Sequence, residues 1–232
     1  MNAFAFSLLG QPLHALPCGA LWWPARRLLC VSDLHLGKSD RIARRHGAML
    51  PPYDSRDTLA RLRAVIEATD PATLICLGDS FDDLASVAAL SAEDRAGLVD
   101  LASGGRDWIW VEGNHDPGPH GLPGRGLAEI ALGPLTFRHI AEPGASGEIS
   151  GHYHPKARLA LRGTSVSRPC FLIDAARVIL PAFGTYTGGL CCTSAILDAT
   201  MAPDALAVLT GQAARAVPMP RAPAAAPYRR IG

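Results

Sequence analysis

The stretch RLLCVSD, residues 27–33, is a short apolar run that ends in polar residues. A run of this length with a polar end is typical of a buried β-strand that finishes at a surface. Two later stretches repeat the form, TLICLGD at 73–79 and WIWVEGN at 108–114. Three such strands in one sheet gather their polar ends along a single edge, and that edge is where open α/β sheets bind ligands.

Helical patterns separate these strands. Residues 54–69 place apolar side chains on one helix face, and residues 91–103 begin at the N-cap candidate Ser91 and end before two glycines. The alternation predicts an α/β arrangement over residues 27–113. The second half reads instead as short strands and hairpins, which we expect to form a second sheet packed on the first, at 135–140, 158–163, 170–181, 191–198 and 205–218.

Composition limits the classes of protein to consider. The 232 residues are enough for one large domain, predicted over residues 1–218, with a Pro/Ala-rich tail at 219–232. The net charge of +1 provides no global attraction to nucleic acid or acidic membranes. The chain has six cysteines with no CxxC spacing, no positive charge before Arg26 and no long apolar run. These three features predict a cytoplasmic protein without a membrane partner.

Polar residues with metal-binding side chains follow the predicted strands. His152 and His154 stand two apart in GHYHP, so on an extended segment their imidazoles lie on the same side. Carboxylate, imidazole and carboxamide groups are ligands of borderline-hard divalent metals, and the absence of cysteine disfavours a structural zinc site. The full set is Asp33, His35, Asp79, Asn114, His115, Asp116, His139, His152 and His154.

Each motif alone has an ordinary explanation. D-x-H occurs by chance, and a lone histidine such as His139 on a strand is more often a satisfied core residue. The ordered series D-x-H, GD, GNHD, solitary His and GHxH, with every member at a strand end, has no such explanation. Two carboxylates, four imidazoles and one amide roughly balance a pair of divalent cations.

These five motifs resemble those of the calcineurin-like binuclear metallophosphoesterases. The resemblance implies a four-layer α/β/β/α sandwich of two mixed sheets flanked by helices, with metals at the sheet edges. Three further stretches are similar to bacterial ligase-associated DNA damage response endonucleases of the PdeM type. They lie at 19–39, 44–54 and 168–190, and the last contains GTYTGG.

The resemblance also implies roles for the polar residues. One metal would be bound by Asp33, His35 and His154, and the other by Asn114, His139 and His152, with Asp79 bridging them. Two divalent ions are implied. Manganese is the preferred metal, with iron or zinc as alternatives.

His115 would be catalytic, donating to the phosphate or to the leaving oxygen. Asp116 would either orient His115 or cap the turn. At the position of Asp82, a histidine is common in the family. Asp82 departs from that pattern and is a candidate to contact one of the metal-binding residues.

The activity implied is metal-dependent hydrolysis of DNA phosphodiesters, as an endonuclease on single strands in bacterial repair, with a repair ligase, helicase or exonuclease as partners. Lys38, Arg41, Arg44 and Arg45 would contact DNA phosphates, or form an ordinary solvated helix face. Further candidates to line a groove are Arg158, Arg162 and Arg168.

The alternatives to a DNA endonuclease are a phosphatase or cyclic-nucleotide phosphodiesterase for small esters, and a non-catalytic metal-stabilised scaffold. No oligomeric state follows from the sequence.

Overall fold

A computed structural model describes residues 2–47, 51–118, 121–161 and 164–222. The first half builds a seven-stranded mixed sheet in which the strands follow chain order. The first four strands pair antiparallel and the last four pair parallel. They are β1 (Phe4–Leu8), β2 (Gln11–Ala15), β3 (Leu21–Trp23), β4 (Leu28–Val31), β5 (Thr73–Leu77), β6 (Asp107–Val111) and β7 (Arg125–Leu127).

The second half forms a second mixed sheet, ordered β15-β14-β12-β13-β10-β9-β8. β10 pairs parallel with both β9 and β13, while β11 pairs with β12 and leaves the sheet as a two-stranded ribbon. The strands are β8 (Glu129–Leu132), β9 (Leu135–Arg138), β10 (Glu148–Ser150), β11 (Lys156–Leu161), β12 (Thr164–Ile173), β13 (Arg177–Ile179), β14 (Leu206–Leu209) and β15 (Arg215–Pro218).

Helices cover the outer faces of the two sheets. They are α1 (Lys38–His46), α2 (Asp54–Thr69), α3 (Leu84–Ala89), α4 (Ala92–Ala102) and α5 (Ala195–Thr200). Buried residues of α2 and α4 pack on the first sheet, and Leu197 of α5 packs on the second. A separate apolar core fills the space between the sheets. The order helix, sheet, sheet, helix confirms the predicted four-layer sandwich of two mixed sheets.

The strand and helix predictions are confirmed where the apolar pattern of the sequence is strongest. The three central strands and α2 lie where expected, and α4 begins at the N-cap Ser91, whose hydroxyl accepts from the Asp94 N–H. The strand predicted at 191–198 is wrong, because Ala195–Thr200 forms α5. The N-terminal hairpin of β1 and β2 was not predicted at all.

Several predictions concern residues outside the described chain. Arg162, residues 48–50 and residues 223–232 of the expected tail lie there. The first residues of that tail are described: Met219 is buried, and its N–H donates to the Ala205 carbonyl. All six cysteines are free thiols. Within the described ranges, none of the helices is both long and apolar enough to traverse a lipid bilayer.

Candidate metal centre

The predicted ligands come together where the two sheets meet at one edge. β4, β5 and β6 are parallel, so Asp33, Asp79 and Asn114 follow them on the same side. β9 and β10 are also parallel, so His139 and the GHYHP segment leave the second sheet together. The loop after β4 continues to pair with the loop after β5, because the His35 N–H donates to the Asp79 carbonyl.

One group of donors consists of Asp33, His35 and His154. The Nε2 atoms of His35 and His154 are 3.3 Å apart, and Nε2 of His154 lies 3.2 Å from Oδ1 of Asp33. Burial alone would raise the pKa of Asp33, but its hydrogen bond and charge interaction with His154 outweigh burial and lower that pKa. Two imidazole nitrogens and a carboxylate oxygen aimed at one point are the donor set of a divalent metal.

A second group consists of Asp79, His139 and His152. Nε2 of His139 lies 3.4 Å from Oδ2 of Asp79, 3.2 Å from Nδ1 of His152 and 3.0 Å from Oδ1 of Asn114. Nδ1 of His139 is 3.0 Å from the Leu77 carbonyl, which can only accept, so Nδ1 carries a proton and Nε2 is left to face the other donors.

Asp79 stands between the two groups. Its Oδ2 atom is 3.4 Å from Nε2 of His139 and 4.0 Å from Nε2 of His35. Burial alone would raise the pKa of Asp79, but the hydrogen bond and charge of His139 lower it to about 2. For His139 the directions are reversed. Burial alone would lower its pKa, but the Asp79 and Asp33 carboxylates raise that pKa to about 9. A carboxylate shared in this way has the position required to bridge two cations.

The backbone is strained at these positions. Of the nine described non-glycine residues with positive φ, five belong to the candidate site: Asp33, His35, Asp79, His152 and His154, with φ of 53°, 44°, 47°, 70° and 46°. Each such residue costs about 1–3 kcal/mol, and strain of this kind concentrates at functional sites. The loops therefore hold their side chains inward at an energetic cost that packing elsewhere offsets.

Glycines allow the two sheets to approach each other. A Cβ on Gly151, which precedes His152, would lie 1.7 Å from Oγ of Ser32 and 2.6 Å from Oδ2 of Asp33. A Cβ on Gly78 would lie 2.3 Å from Nδ1 of His139. The glycines of the GD and GHxH motifs thus leave the space that a ligand from the opposite sheet occupies.

Asp82 is fully buried beside the site and contacts His35 from behind. Its Oδ1 atom lies 2.9 Å from Nδ1 of His35 and 3.2 Å from Nζ of Lys38, and its Oδ2 atom lies 2.8 Å from an Nη of Arg41. Burial would raise the pKa of Asp82, but its contacts with His35, Arg41 and Lys38 hold that pKa far below the ordinary value. The anionic carboxylate keeps the proton of His35 on Nδ1, so that Nε2 is free to bind.

His115 lies at the rim of the site with a partly exposed ring. Its N–H donates to Oδ1 of Asp79 at 2.9 Å, its Nδ1 is 2.9 Å from the Asp82 carbonyl, and its Nε2 is 4.0 Å from Oδ2 of Asp79. The carbonyl can only accept, so Nδ1 bears a proton and Nε2 is the atom that can give or take one toward the site. His35, Asp82 and His115 also form a third group with metal-ligand spacing.

Asp116 supports the loops. Its carboxylate accepts from the N–H groups of Ser80, Phe81 and Gly113, which ties the loop after β5 to the loop after β6. Burial raises its pKa to about 7. These bonds favour the capping role over the orientation of His115.

The four basic residues predicted to contact DNA lie on α1 and are paired with carboxylates. Lys38 and Arg41 contact Asp82, Arg44 contacts Asp40 and Asp83, and Arg45 lies 3.7 Å from Asp83. The sequence shows these cations as a cluster but does not reveal their carboxylate partners. Asp82 and Asp83 are about forty positions away and approach α1 only when the chain is folded.

A family model for calcineurin-like phosphoesterases matches residues 26–159, which is more than half of the chain. The chain belongs to the calcineurin-like phosphoesterase family. The family resemblance predicted from the motifs is therefore confirmed, and the protein is a metal-dependent phosphoesterase. The search of curated proteins returns no match.

Among solved structures, this phosphoesterase is similar to one described as Pseudomonas putida nuclease MPE. The two chains are 30% identical, the match covers 93% of this chain and 100% of the other, and the TM-score is 0.73. The similarity extends beyond the family model, into the C-terminal strands that complete the second sheet.

The side chains fit a pair of divalent cations. The two donor groups hold five imidazole or carboxylate residues plus Asp79, which lies between the groups, and Asn114 adds a neutral oxygen donor. His35 and His139 each have one ring nitrogen facing a carboxylate or carbonyl, an arrangement that orients the other nitrogen toward a metal. The mixed nitrogen and oxygen set suits borderline-hard divalent ions.

Proposed function

We propose that this protein is a two-metal phosphodiesterase that cleaves single-stranded DNA internally during bacterial DNA repair. The observation that carries the proposal is its 30% identity, over 93% of this chain and 100% of the other, to a chain described as a nuclease. The converging donors at the sheet edge support the same reaction class, because an anionic and kinetically inert phosphodiester needs both charge neutralisation and a strong nucleophile.

We assign Asp33, His35 and His154 to one cation, Asn114, His139 and His152 to the other, and Asp79 to both. Bound there, two divalent cations would neutralise the phosphate oxygens and lower the pKa of a water molecule toward neutrality. The chain's own contribution is orientation. Asp82 fixes the ring of His35, the Leu77 carbonyl fixes the ring of His139, and the Ser32 hydroxyl donates to Oδ2 of Asp33 at 2.5 Å.

His115 is the proposed general acid. Its Nδ1–H donates to the Asp82 carbonyl, so a second proton on Nε2 faces the site and can pass to the departing oxygen of the scissile bond. The bond from its backbone N–H to Asp79 places the ring at the rim of the site.

Manganese is the proposed metal, with iron or zinc as the alternatives to be screened. A chromosomal DNA substrate implies action in the cytoplasm. The ligase, helicase or exonuclease partners implied by the family resemblance stay predictions. Contacts of Lys38, Arg41, Arg44 and Arg45 with DNA also stay predictions, and each would require exchange of a carboxylate partner for a phosphate.

The test is a metal-screened incision assay on circular single-stranded DNA, which has no ends and therefore reports internal cleavage only. We expect linear products with Mn²⁺ and none after chelation, with Asp79→Asn as the inactive control. Hydrolysis confined to small phosphate esters would overturn the nuclease proposal in favour of a phosphatase or cyclic-nucleotide phosphodiesterase. Stoichiometric metal without hydrolysis of either substrate would instead indicate a scaffold.

A further inference from the structure

A groove lies at one flank of the second sheet, between the β11–β12 ribbon and the turn that joins β14 to β15. We call it the ribbon groove; its volume is about 670 Å³, and its lining includes Leu159, Val166, Arg168, Thr210 and Arg215. Strand register explains the lining. Arg168 lies opposite Ala157, Val166 lies opposite Leu159, and Arg215 lies opposite Leu209. Directly opposed residues share a face, so both arginines reach the same side of the sheet.

The ribbon groove is at the same edge of the molecule as the metal ligands. β11 begins at Lys156, two positions after His154, and the Cys170 N–H donates to the carbonyl of Pro155. The end of β14 reaches the same place, because Leu209 pairs with Cys170 and the Thr210 N–H donates to the Pro169 carbonyl. Arg168 thus lies opposite Ala157, which follows His154 by three residues.

The arginines of the groove are available to an anionic ligand. Arg168 and Arg215 are exposed, and within the described ranges neither has a carboxylate within ion-pair distance. No acidic residue is among the described residues that line the groove. The cations of α1 differ, because each already pairs with Asp40, Asp82 or Asp83. A phosphate arriving near the metal centre therefore meets uncompensated positive charge in the groove and compensated charge on α1.

The groove's shape and chemistry match a single nucleic-acid strand. Two guanidinium groups can each bind a phosphate through paired N–H donors. Leu159 and Val166 offer an apolar wall for sugar and base faces, while the arginines provide the charge. A volume of about 670 Å³ is in the range that encloses a small molecule, so the groove can accommodate a short length of single strand.

We propose that the ribbon groove holds the backbone of single-stranded DNA beside the metal centre, with Arg168 and Arg215 binding phosphates outside the scissile one. This assignment rests on the proposed nuclease function and extends it. The groove directs a strand toward the cations and explains how a chain with a net charge of +1 can bind a polyanion.

The test compares the double variant R168A/R215A with the matched control R26A/R125A. The control also removes two exposed arginines, but at the opposite edge: Arg26 follows β3, which runs antiparallel to β4, and Arg125 begins β7, which runs parallel to β6. Binding of a fluorescent phosphorothioate oligothymidylate, which keeps the backbone charge and resists hydrolysis, is measured by anisotropy with the metal-loaded protein over a range of salt concentrations.

Loss of two phosphate contacts should reduce the slope of log affinity against log salt by about 1.4, equivalent to about 25-fold weaker binding near 0.1 M salt. The control should bind as the wild type does, and R168K/R215K should recover much of the slope. Hydrolysis of bis(p-nitrophenyl) phosphate should be unchanged in R168A/R215A, because that ester is too small to reach the groove. Circular dichroism checks that the variants are folded.

Equal affinity and equal salt slope for R168A/R215A and the control would overturn the ribbon groove as a DNA site while leaving the nuclease proposal in place. Failure of the wild type to bind or cut DNA, with hydrolysis of the small ester retained, would overturn the nuclease proposal itself. Loss of small-ester hydrolysis in folded R168A/R215A would also contradict the assignment, because it would place these arginines in the metal centre.

Discussion

Nδ1 of His35 lies 2.9 Å from Oδ1 of Asp82, a fully buried carboxylate. Asp82 also contacts Lys38 and Arg41, which supply the positive charge that compensates its burial. A metal-binding histidine whose second nitrogen faces a carboxylate is held in one tautomer and one orientation. We therefore predict that Asp82 acts on the candidate metal centre through His35.

Asp82→Asn should weaken metal binding without abolishing it. Substitutions of such supporting groups cost about 10- to 100-fold in metal affinity, because the ring nitrogen that faces the metal loses its fixed orientation and basicity. Equilibrium dialysis against Mn²⁺ measures the change. Asp83→Asn is the control, because Asp83 caps α3 without contacting His35, and asparagine preserves the cap. Equal affinities for the two variants would exclude the role assigned to Asp82.

His115→Ala should keep its metals and lose hydrolysis. A positioned general acid contributes about 10²- to 10⁴-fold. The loss should be large for DNA, whose leaving alkoxide needs a proton, and small for a p-nitrophenyl ester, whose leaving phenolate does not. Turnover on both substrates is measured together with bound metal, and His14→Ala on β2 serves as the control. A proportional loss on both substrates would argue against proton donation by His115.

Gly151→Ala should destabilise the protein and disturb the metal centre. The added methyl group would lie 1.7 Å from Oγ of Ser32, so the junction between the sheets must shift. Overpacking of this kind costs about 1–3 kcal/mol in the free energy of unfolding. Gly97→Ala is the matched control, because a Cβ there has open space and Gly97 is inside α4, so that variant should gain about 0.5–1 kcal/mol. Urea denaturation distinguishes the two, and similar stabilities would contradict the close packing at Gly151.

Asp57 should contribute stability that depends on pH. The hydroxyl of Thr185 donates to its carboxylate at 2.6 Å and lowers its pKa below the ordinary 3.8, with Arg61 adding to the effect. A carboxylate with a lowered pKa stabilises the fold above its unfolded pKa and loses that effect as the pH falls through the folded value. Because the side chain is half exposed, the contribution is below about 1 kcal/mol.

Asp57→Asn should therefore reduce the free energy of unfolding at pH 7, and the difference from the wild type should shrink as the pH falls below 3.8. Urea titrations at several pH values measure it. Thr185→Val removes the donor, so the asparagine substitution should have a smaller effect in that background. A difference that does not change with pH would show that the Asp57 carboxylate titrates alike in the folded and unfolded chains.

Local pattern was sufficient for the parts of the fold that depend on neighbouring residues. An apolar run with a polar end identifies β4, β5 and β6, and each such end carries a candidate ligand, so the convergence of Asp33, Asp79 and Asn114 could be predicted. The α5 helix was mistaken for a strand because CCTSAILD is short and apolar, and periodicity does not separate the two states at that length.

Contacts between distant segments were not predictable in the same way. The partners of the α1 cations come from the loop after β5, and the ribbon groove joins Arg168 to Arg215, which are far apart in the chain. Arg168 was recognised as a candidate because it follows GHYHP, whereas Arg215 had no local signal. Its position depends on the pairing of β14 with both β12 and β15, which only the folded chain shows.

Metal uptake tests the central claim most directly, because every assigned role depends on one cage that holds two cations. Metal-free protein is dialysed against Mn²⁺ and its content is measured by elemental analysis, with Asp79→Asn alongside. We predict two ions per chain for the wild type and, because Asp79 is the shared ligand, weakened binding of both ions in the variant. Less than one ion per chain in folded wild-type protein, or full uptake by Asp79→Asn, would contradict the account.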